Sequence, residues 1–168
     1  LLGGGVLLEL SHELDYLCWL FGDPDWISAF KDTRSNLQID VEDLALIHMG
    51  FLFEEGGTRR ETFCSLNMDF IRHDHKRTCY IIGELGTLKW DGINNNVWFF
   101  SAKYKVWEEL ATFESNRDFS FRQELSHFVS CIHEDKKPSI SVEDGIRVLK
   151  LVDAINKSSE TKCLCHLT

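Results

Sequence analysis

Positive charge is scarce in this sequence. Eighteen lysine and arginine residues stand against 27 aspartate and glutamate residues, which gives a net charge of −9 at pH 7. Surfaces that bind nucleic acid or anionic membranes need clustered positive charge to pair with phosphate groups. The composition therefore argues against both kinds of partner.

Long hydrophobic runs, internal repeats and low-complexity segments are also missing. No apolar run approaches the ~20 residues that a membrane-spanning helix requires, and no signal-peptide pattern is present. The chain does contain enough apolar material for a core, since 43% of its 168 residues are hydrophobic, including five tryptophans and twelve phenylalanines. Length and composition predict one globular domain with a substantial, aromatic-rich core.

Six cysteines lie at irregular spacing, at positions 18, 64, 79, 131, 163 and 165. Several lie inside apolar runs, a pattern typical of reduced core residues in a cytoplasmic protein rather than of a disulfide framework. Two motifs, His73-Asp74-His75 and Cys163-Leu164-Cys165-His166, contain metal-binding residue types. A solvated turn and an isolated chain-end motif are the simpler interpretations, and we predict no metal site.

Hydrophobic periodicity predicts helices near both ends of the chain. One helix is expected from Glu9 to Phe21, ending at the turn Gly22-Asp23-Pro24. Two more are expected around residues 120–132 and 142–155, the last of them capped by the segment Ser141–Asp144. The residues from Lys157 onward lack periodicity, so we expect them to fray.

Short aromatic and aliphatic runs between turn residues predict strands in the middle of the chain. They are Trp26–Asp32, Asp43–Phe53, Arg59–Ile71, Arg77–Ile82, Thr87–Trp90, Asn96–Ser101 and Val106–Phe113. Short connections between strands favour antiparallel pairing. The sequence therefore predicts an α+β fold, a predominantly antiparallel open sheet of about six strands with helices packed on one face.

The most informative segment is the glycine run Gly3-Gly4-Gly5 and the amphipathic helix that follows it. Glu9 and His12 are three residues apart, and at that helical spacing a carboxylate can orient an imidazole and raise its basicity. Such a pair could act as a general acid and base, because the imidazole can accept and donate a proton near neutral pH. The alternative is that the glycines only let the chain turn into the helix and that His12 is a structural histidine.

Four segments carry a family resemblance in the expected chain order. They are Gly3–Tyr16, Gly83–Leu88, Glu124–Ile132 and Lys137–Val148. Together they resemble the C-terminal substrate domain of the Gfo/Idh/MocA family of NAD(P)-dependent oxidoreductases. The stretch from Met68 to Gly86 is most similar to members found with polysaccharide and lipopolysaccharide biosynthesis. The resemblance implies a glyceraldehyde-3-phosphate-dehydrogenase-like C-terminal domain and an enzyme that uses NAD or NADP on a sugar, polyol or nucleotide-sugar hydroxyl.

The resemblance also implies roles for individual residues. His12 would exchange the proton of the substrate hydroxyl, with Glu9 orienting its ring. Family members carry an aspartate four residues before the histidine, whereas Glu9 lies three before it, and one residue rotates a helical side chain by about 100°. Asp15 and Tyr16 would bind substrate, although Asp15 could instead pair at the helix surface.

Basic residues in the middle of the chain form a second candidate site. Arg72 and Arg77, together with Arg59, Arg60 and Lys76, could grip a phosphate or a nucleotide-sugar diphosphate. The other interpretation is that these side chains decorate exposed strand ends.

A dinucleotide-binding glycine fingerprint is missing, because Gly3-Gly4-Gly5 has no strand before it and Gly83 and Gly86 lie between two predicted strands. We therefore expect residues 1–168 to form the C-terminal substrate-binding and oligomerisation domain of a longer enzyme. The Rossmann domain and a catalytic lysine would lie outside this chain, which alone would be inactive.

The resemblance further implies a homo-oligomer formed through the open sheet face. Two alternatives to the dehydrogenase remain: a non-catalytic oligomerisation or regulatory module, and a redox-assisted glycoside hydrolase.

Overall fold

The computed structural model describes residues 4–114 and 117–167, so Gly3 of the glycine run lies outside the described residues. The elements in chain order are α1 (Gly5–Glu9), α2 (His12–Phe21), β1 (Trp26–Asp32), β2 (Leu44–Glu55), β3 (Thr58–Asp69), β4 (Thr78–Gly83), β5 (Gly86–Asp91), β6 (Asn96–Ser101), β7 (Trp107–Thr112), α3 (Arg117–Glu134), α4 (Val142–Thr161) and β8 (Cys165–His166). They form two compact units. The first contains the described residues up to Arg72 and from Ser139 onward, and the second is His73–Pro138.

The first unit contains an antiparallel sheet with the strand order β3-β2-β1-β8. Its long hairpin, β2 and β3, turns at Gly56 and Gly57, which both have positive φ. Two-residue hairpin turns that match the strand twist require this conformation, and glycine adopts it without strain.

The helices of the first unit pack against one face of this sheet. Alternate residues of the strands point toward them, as the period of two in a strand dictates. The shared core consists of Ile27, Ala45, Ile47, Met49, Phe51 and Met68 from the strands, Val6, Leu7, Leu14, Leu17 and Cys18 from α1 and α2, and Val148, Leu151, Val152 and Ile155 from α4. Helices on one sheet face and antiparallel pairing are therefore confirmed for this unit.

The C-terminal turn of α4 closes the free edge of β1. β8 pairs only with Trp26 and Ile27. Beyond it, the hydroxyl oxygens of Ser158 and Ser159 accept the backbone N–H groups of Ala29 and Lys31 at 2.9 and 3.0 Å. The expected fraying after Lys157 is thus wrong, because these buried serines tie the last helical turn to the sheet.

The second unit contains a separate antiparallel meander, β4-β5-β6-β7, and helix α3. The predicted strands therefore form two four-stranded sheets in place of one sheet of about six. The separation begins at Asp69, whose carboxylate accepts the N–H groups of Ile71 and Arg72 at 3.1 and 2.6 Å. This local turn ends β3, and β4 pairs with β5 in a separate sheet.

Helix α3 carries an exposed apolar stripe at helical spacing. Its members are Phe121, Leu125, Phe128, Val129 and Ile132. No helix within the described ranges is both long enough and apolar enough to cross a lipid bilayer.

Candidate functional site

An open groove in the first unit contains two of the residues singled out in the sequence. Its volume is about 560 Å³. One side is polar and comes from the start of α2, with Ser11, His12 and Asp15. The other side is mainly apolar and consists of Ile140, Ser141, Val142, Gly145, Ile146, Val148 and Leu149.

His12 stands at the edge of this groove with a fixed partner. Its side chain is 53% exposed, and its Nε2 lies 3.1 Å from Oε1 of Glu13, a carboxylate that is only 12% exposed. A buried carboxylate holds a ring more firmly than an exposed one, because it has little freedom to exchange its partner for water. The imidazole is therefore both accessible from the groove and held in one orientation.

Glu9 takes a different partner from the one expected. The predicted continuous helix is broken at Leu10 and Ser11, so Glu9 ends α1 and His12 begins α2. The exposed Glu9 carboxylate accepts the backbone N–H of Gly4 at 3.4 Å. The i,i+3 geometry that would join Glu9 to His12 requires an unbroken helix, and the break removes it.

The conformation of Gly5 explains why α1 begins with a glycine. It has a φ of +77°, and a Cβ at this position would collide with the carboxylate of Glu42. The same carboxylate accepts the N–H of Leu7 at 3.3 Å, and the Glu42 carbonyl accepts that of Val6 at 3.0 Å. These contacts anchor the short α1 ahead of the break.

Asp15 and Tyr16 separate in the structure. Asp15 lines the groove one turn after His12. Tyr16 instead packs against the hydrophobic core of the first unit. Consecutive helical residues are about 100° apart, so the two side chains cannot share one face.

The apolar side of the groove is positioned by a capping box. Asp144 accepts the N–H and the hydroxyl of Ser141, both at 2.8 Å, and donates its own N–H to the Ser141 hydroxyl oxygen at 3.3 Å. The Ser141 donors, with Arg147 nearby, hold the pKa of the Asp144 carboxyl below its usual range. The predicted cap at Ser141–Asp144 is confirmed, and it fixes where the α4 side of the groove begins.

Arg147 connects α4 to the end of α2. Its guanidinium pairs with Asp144 and lies 3.6 Å from the carboxylate of Asp23. On the buried face of α2, burial and the nearby Asp23 raise the pKa of the Cys18 thiol to about 11. A thiol that remains protonated at neutral pH is a poor nucleophile, so Cys18 acts as a core residue.

The two candidate arginines lie outside the groove. The backbone N–H of Arg72 bonds to Asp69 at the end of the first unit's hairpin, and its side chain is exposed. Arg77 belongs to the second unit, where its guanidinium carbon lies 5.0 Å from the ring centroid of Trp90. In the described part of the chain, no three histidine, cysteine or acidic residues are grouped so that they could hold a metal ion.

Sequence reasoning missed Glu13. Adjacent residues on a regular helix do not face each other, so spacing rules gave no reason to pair it with His12. It also missed that Val142, Ile146 and Leu149 face the groove, because their apolar character indicated burial against the sheet.

Solved structures show the same fold. Levoglucosan dehydrogenase in complex with NADH matches with a TM-score of 0.82 at 19% identity, over 99% of this chain and 51% of that one. The WlbA dehydrogenase from Bordetella pertussis, in complex with NADH and UDP-GlcNAcA, matches with a TM-score of 0.72 at 20% identity, over 98% of this chain and 48% of that one. UDP-N-acetylglucosamine 3-dehydrogenase GnnA from Acidithiobacillus ferrooxidans matches with a TM-score of 0.73 at 18% identity, over 93% of this chain and 47% of that one.

The chain thus spans about half the length of these structures. No curated protein gives a significant sequence match. The model of the oxidoreductase family's C-terminal alpha/beta domain, however, matches residues 1–164, almost the entire sequence. The chain therefore belongs to the Gfo/Idh/MocA oxidoreductase family and corresponds to its C-terminal alpha/beta domain.

Proposed function

We propose that this chain is the substrate-binding part of a nicotinamide-dependent oxidoreductase acting on the hydroxyl of a sugar, polyol or nucleotide sugar. The observation that carries the proposal is the half-exposed His12 at the groove edge, held at 3.1 Å by the buried Glu13. The carbohydrate dehydrogenases with the same fold support the substrate class.

The geometry gives His12 a defined chemical task. If Nε2 carries the proton shared with Glu13, Nδ1 is the basic nitrogen of the neutral ring. On oxidation, Nδ1 accepts the hydroxyl proton while the carbon gives up a hydride and a carbonyl forms, and Glu13 stabilises the resulting imidazolium. Asp15, on the same side of the groove, accepts a hydrogen bond from a second substrate hydroxyl.

The cofactor of this proposal is NAD or NADP, which supplies the hydride acceptor when bound. Within the residues described, no glycine-rich loop connects a strand to a following helix, since Gly83 and Gly86 close the β4–β5 hairpin and α1 has no described strand before it. We propose that a Rossmann domain outside this sequence, which also holds a catalytic lysine, binds most of the dinucleotide. Residues 1–168 alone would then lack turnover.

The face of the first sheet opposite its helices supports a homo-oligomer. It presents the 70% exposed Phe63 beside Trp26, with ring centroids 6.1 Å apart. None of the six cysteines, all of which lie within the described residues, forms a disulfide, and this supports a reducing compartment such as the cytoplasm.

His12→Asn in the chain joined to its dinucleotide-binding half tests the proposal. Asparagine keeps much of the shape but cannot exchange a proton near neutral pH, so kcat should fall ~10²–10⁴-fold while KM changes little. His75→Asn is the matched control, because His75 is an exposed histidine in the loop before β4 that does not line the groove. Near-normal kcat in a folded His12→Asn enzyme would show that His12 is structural, whereas a complete, unmodified protein without turnover would favour the non-catalytic module.

A further inference from the structure

The outer side of α2 presents a large aromatic residue, Trp19, in line with the polar side of the groove. The Trp19 side chain is 82% exposed. His12, Asp15 and Trp19 lie within an arc of about 60° on a regular helix, and Trp19 is about 10 Å beyond His12 along the axis. Helical side chains lean toward the helix N-terminus, which directs the indole back toward Asp15.

Trp19 is the most exposed of the five tryptophans, because Trp107 is 46% exposed and Trp26, Trp90 and Trp98 are partly buried. Trp26, Trp90 and Trp107 each contact an aromatic ring or a cation. Within residues 4–114 and 117–167, the side chain of Trp19 has no ring contact, cation contact or hydrogen bond. Its apolar face and its indole N–H are thus both available to a ligand that continues from the groove.

The position of Trp19 determines which part of a substrate it can touch. Rings of many kinds can stack on the face of an indole, and the stacking free energy depends only weakly on which ring is stacked. The separation from His12 exceeds the width of one pyranose ring. A ring stacked on Trp19 is therefore a different ring from the one whose hydroxyl His12 deprotonates.

We propose that Trp19 forms a stacking subsite for a second, non-reacting ring of the substrate, either the base of a nucleotide sugar or the second sugar of a disaccharide. The proposal rests on the proposed function, and it narrows the substrate class by excluding single-ring sugars as the best ligands. Trp19 is a positioning residue here, because it contacts substrate away from the reacting carbon.

Binding measurements on the chain itself provide the test, with UDP-N-acetylglucosamine, cellobiose and glucose as probes and ligand-observed NMR or calorimetry as the readout. Trp19→Ala should weaken binding of the preferred one of the two larger probes about tenfold or more and leave glucose binding unchanged, while Trp19→Phe should keep most of the affinity. Leu20→Ala is the matched control, because Leu20 is an exposed neighbour on another face of α2. Comparison of the first two probes identifies the second ring as a base or a sugar.

Three results would overturn the subsite. The first is that UDP-N-acetylglucosamine and cellobiose both bind the unmodified chain no more tightly than glucose does. The second is Trp19→Ala weakening all probes equally or none. The third is Trp19→Ala converting a dimer into a monomer in sedimentation, which would show that a second copy covers the indole. Because binding is measured without turnover, a failed subsite remains distinguishable from a failed His12→Asn test.

Discussion

The imidazole of His12 is held by the residue that follows it, Glu13, and not by the residue three positions before it. Two features produce this arrangement. The break at Leu10 and Ser11 places His12 at the first position of α2, and the near-complete burial of Glu13 fixes the carboxylate beneath the ring. The local backbone therefore determines which acidic residue serves the histidine.

Glu13→Gln and Glu9→Gln are expected to differ sharply in the complete enzyme. Glutamine at 13 loses the negative charge that stabilises an imidazolium, so kcat should fall about tenfold or more with little change in KM. Glutamine at 9 should leave kcat near normal, because Glu9 only accepts the N–H of Gly4. Steady-state kinetics would measure kcat for both variants, and thermal unfolding would confirm that both are folded. A larger loss of kcat in Glu9→Gln than in Glu13→Gln would show that Glu9 orients His12.

For single residues, the sequence predicted which side chains belong to the site more readily than it predicted their contacts. His12 and Asp15 follow from a motif, and both line the groove. The contact with Glu13 does not follow, because it depends on a helix break between two segments that are both helical and both apolar on one side. Tyr16 shows the same limit, since its position next to Asp15 gave no indication that it packs on the core.

Helix α4 shows which features of an element are visible in sequence. The capping box at Ser141 was predicted because its hydrogen bonds are local. The final turn was not predicted, because Ser158 and Ser159 interrupt the apolar periodicity while their hydroxyls bind a strand about 130 residues earlier in the chain. Polar residues with distant partners cannot be distinguished from a frayed end by pattern alone.

Asp144→Asn should lower the melting temperature at neutral pH, because the cap loses its charged acceptor. The Asp144 pKa is below its usual range in the folded chain, so its stabilising contribution is present above the ordinary aspartate pKa of about 3.9 and is lost as pH falls through the folded value. The difference in melting temperature between the two proteins should therefore shrink below about pH 4.

Ser141→Ala provides a second measure of the same cap and should cost about 0.5–2 kcal/mol at pH 7. Calorimetric melting from pH 7 to pH 3 measures both variants. A gap between Asp144→Asn and the unmodified chain that stays constant over this range would contradict the assigned role of the carboxylate.

Two features of the whole molecule were not predictable from its sequence. Strand runs indicate antiparallel pairing, but they do not state which strands share a sheet, and here the Asp69 turn divides them between two sheets. The first unit is also discontinuous, with residues 73–138 inserted between its two parts. The class of the fold followed from element order, whereas this division depends on which strands pair with each other.

Phe63→Lys should weaken self-association at least about tenfold, because it places a charge in the proposed contact on the open face of the first sheet. Leu37→Lys is the control, since Leu37 is also exposed but lies outside the strands. Sedimentation over a range of concentrations would show the difference. A chain that is monomeric at high micromolar concentration without either change would remove this face as an oligomer contact.

The closure of β1 by α4 also sets an order of events during synthesis. The N–H groups of Ala29 and Lys31 are made about 130 residues before the serines that accept them. Until those serines are made, β1 presents an unpaired strand edge, which is a template for pairing with another chain. The nascent polypeptide is therefore exposed to aggregation through this edge until α4 has left the ribosome.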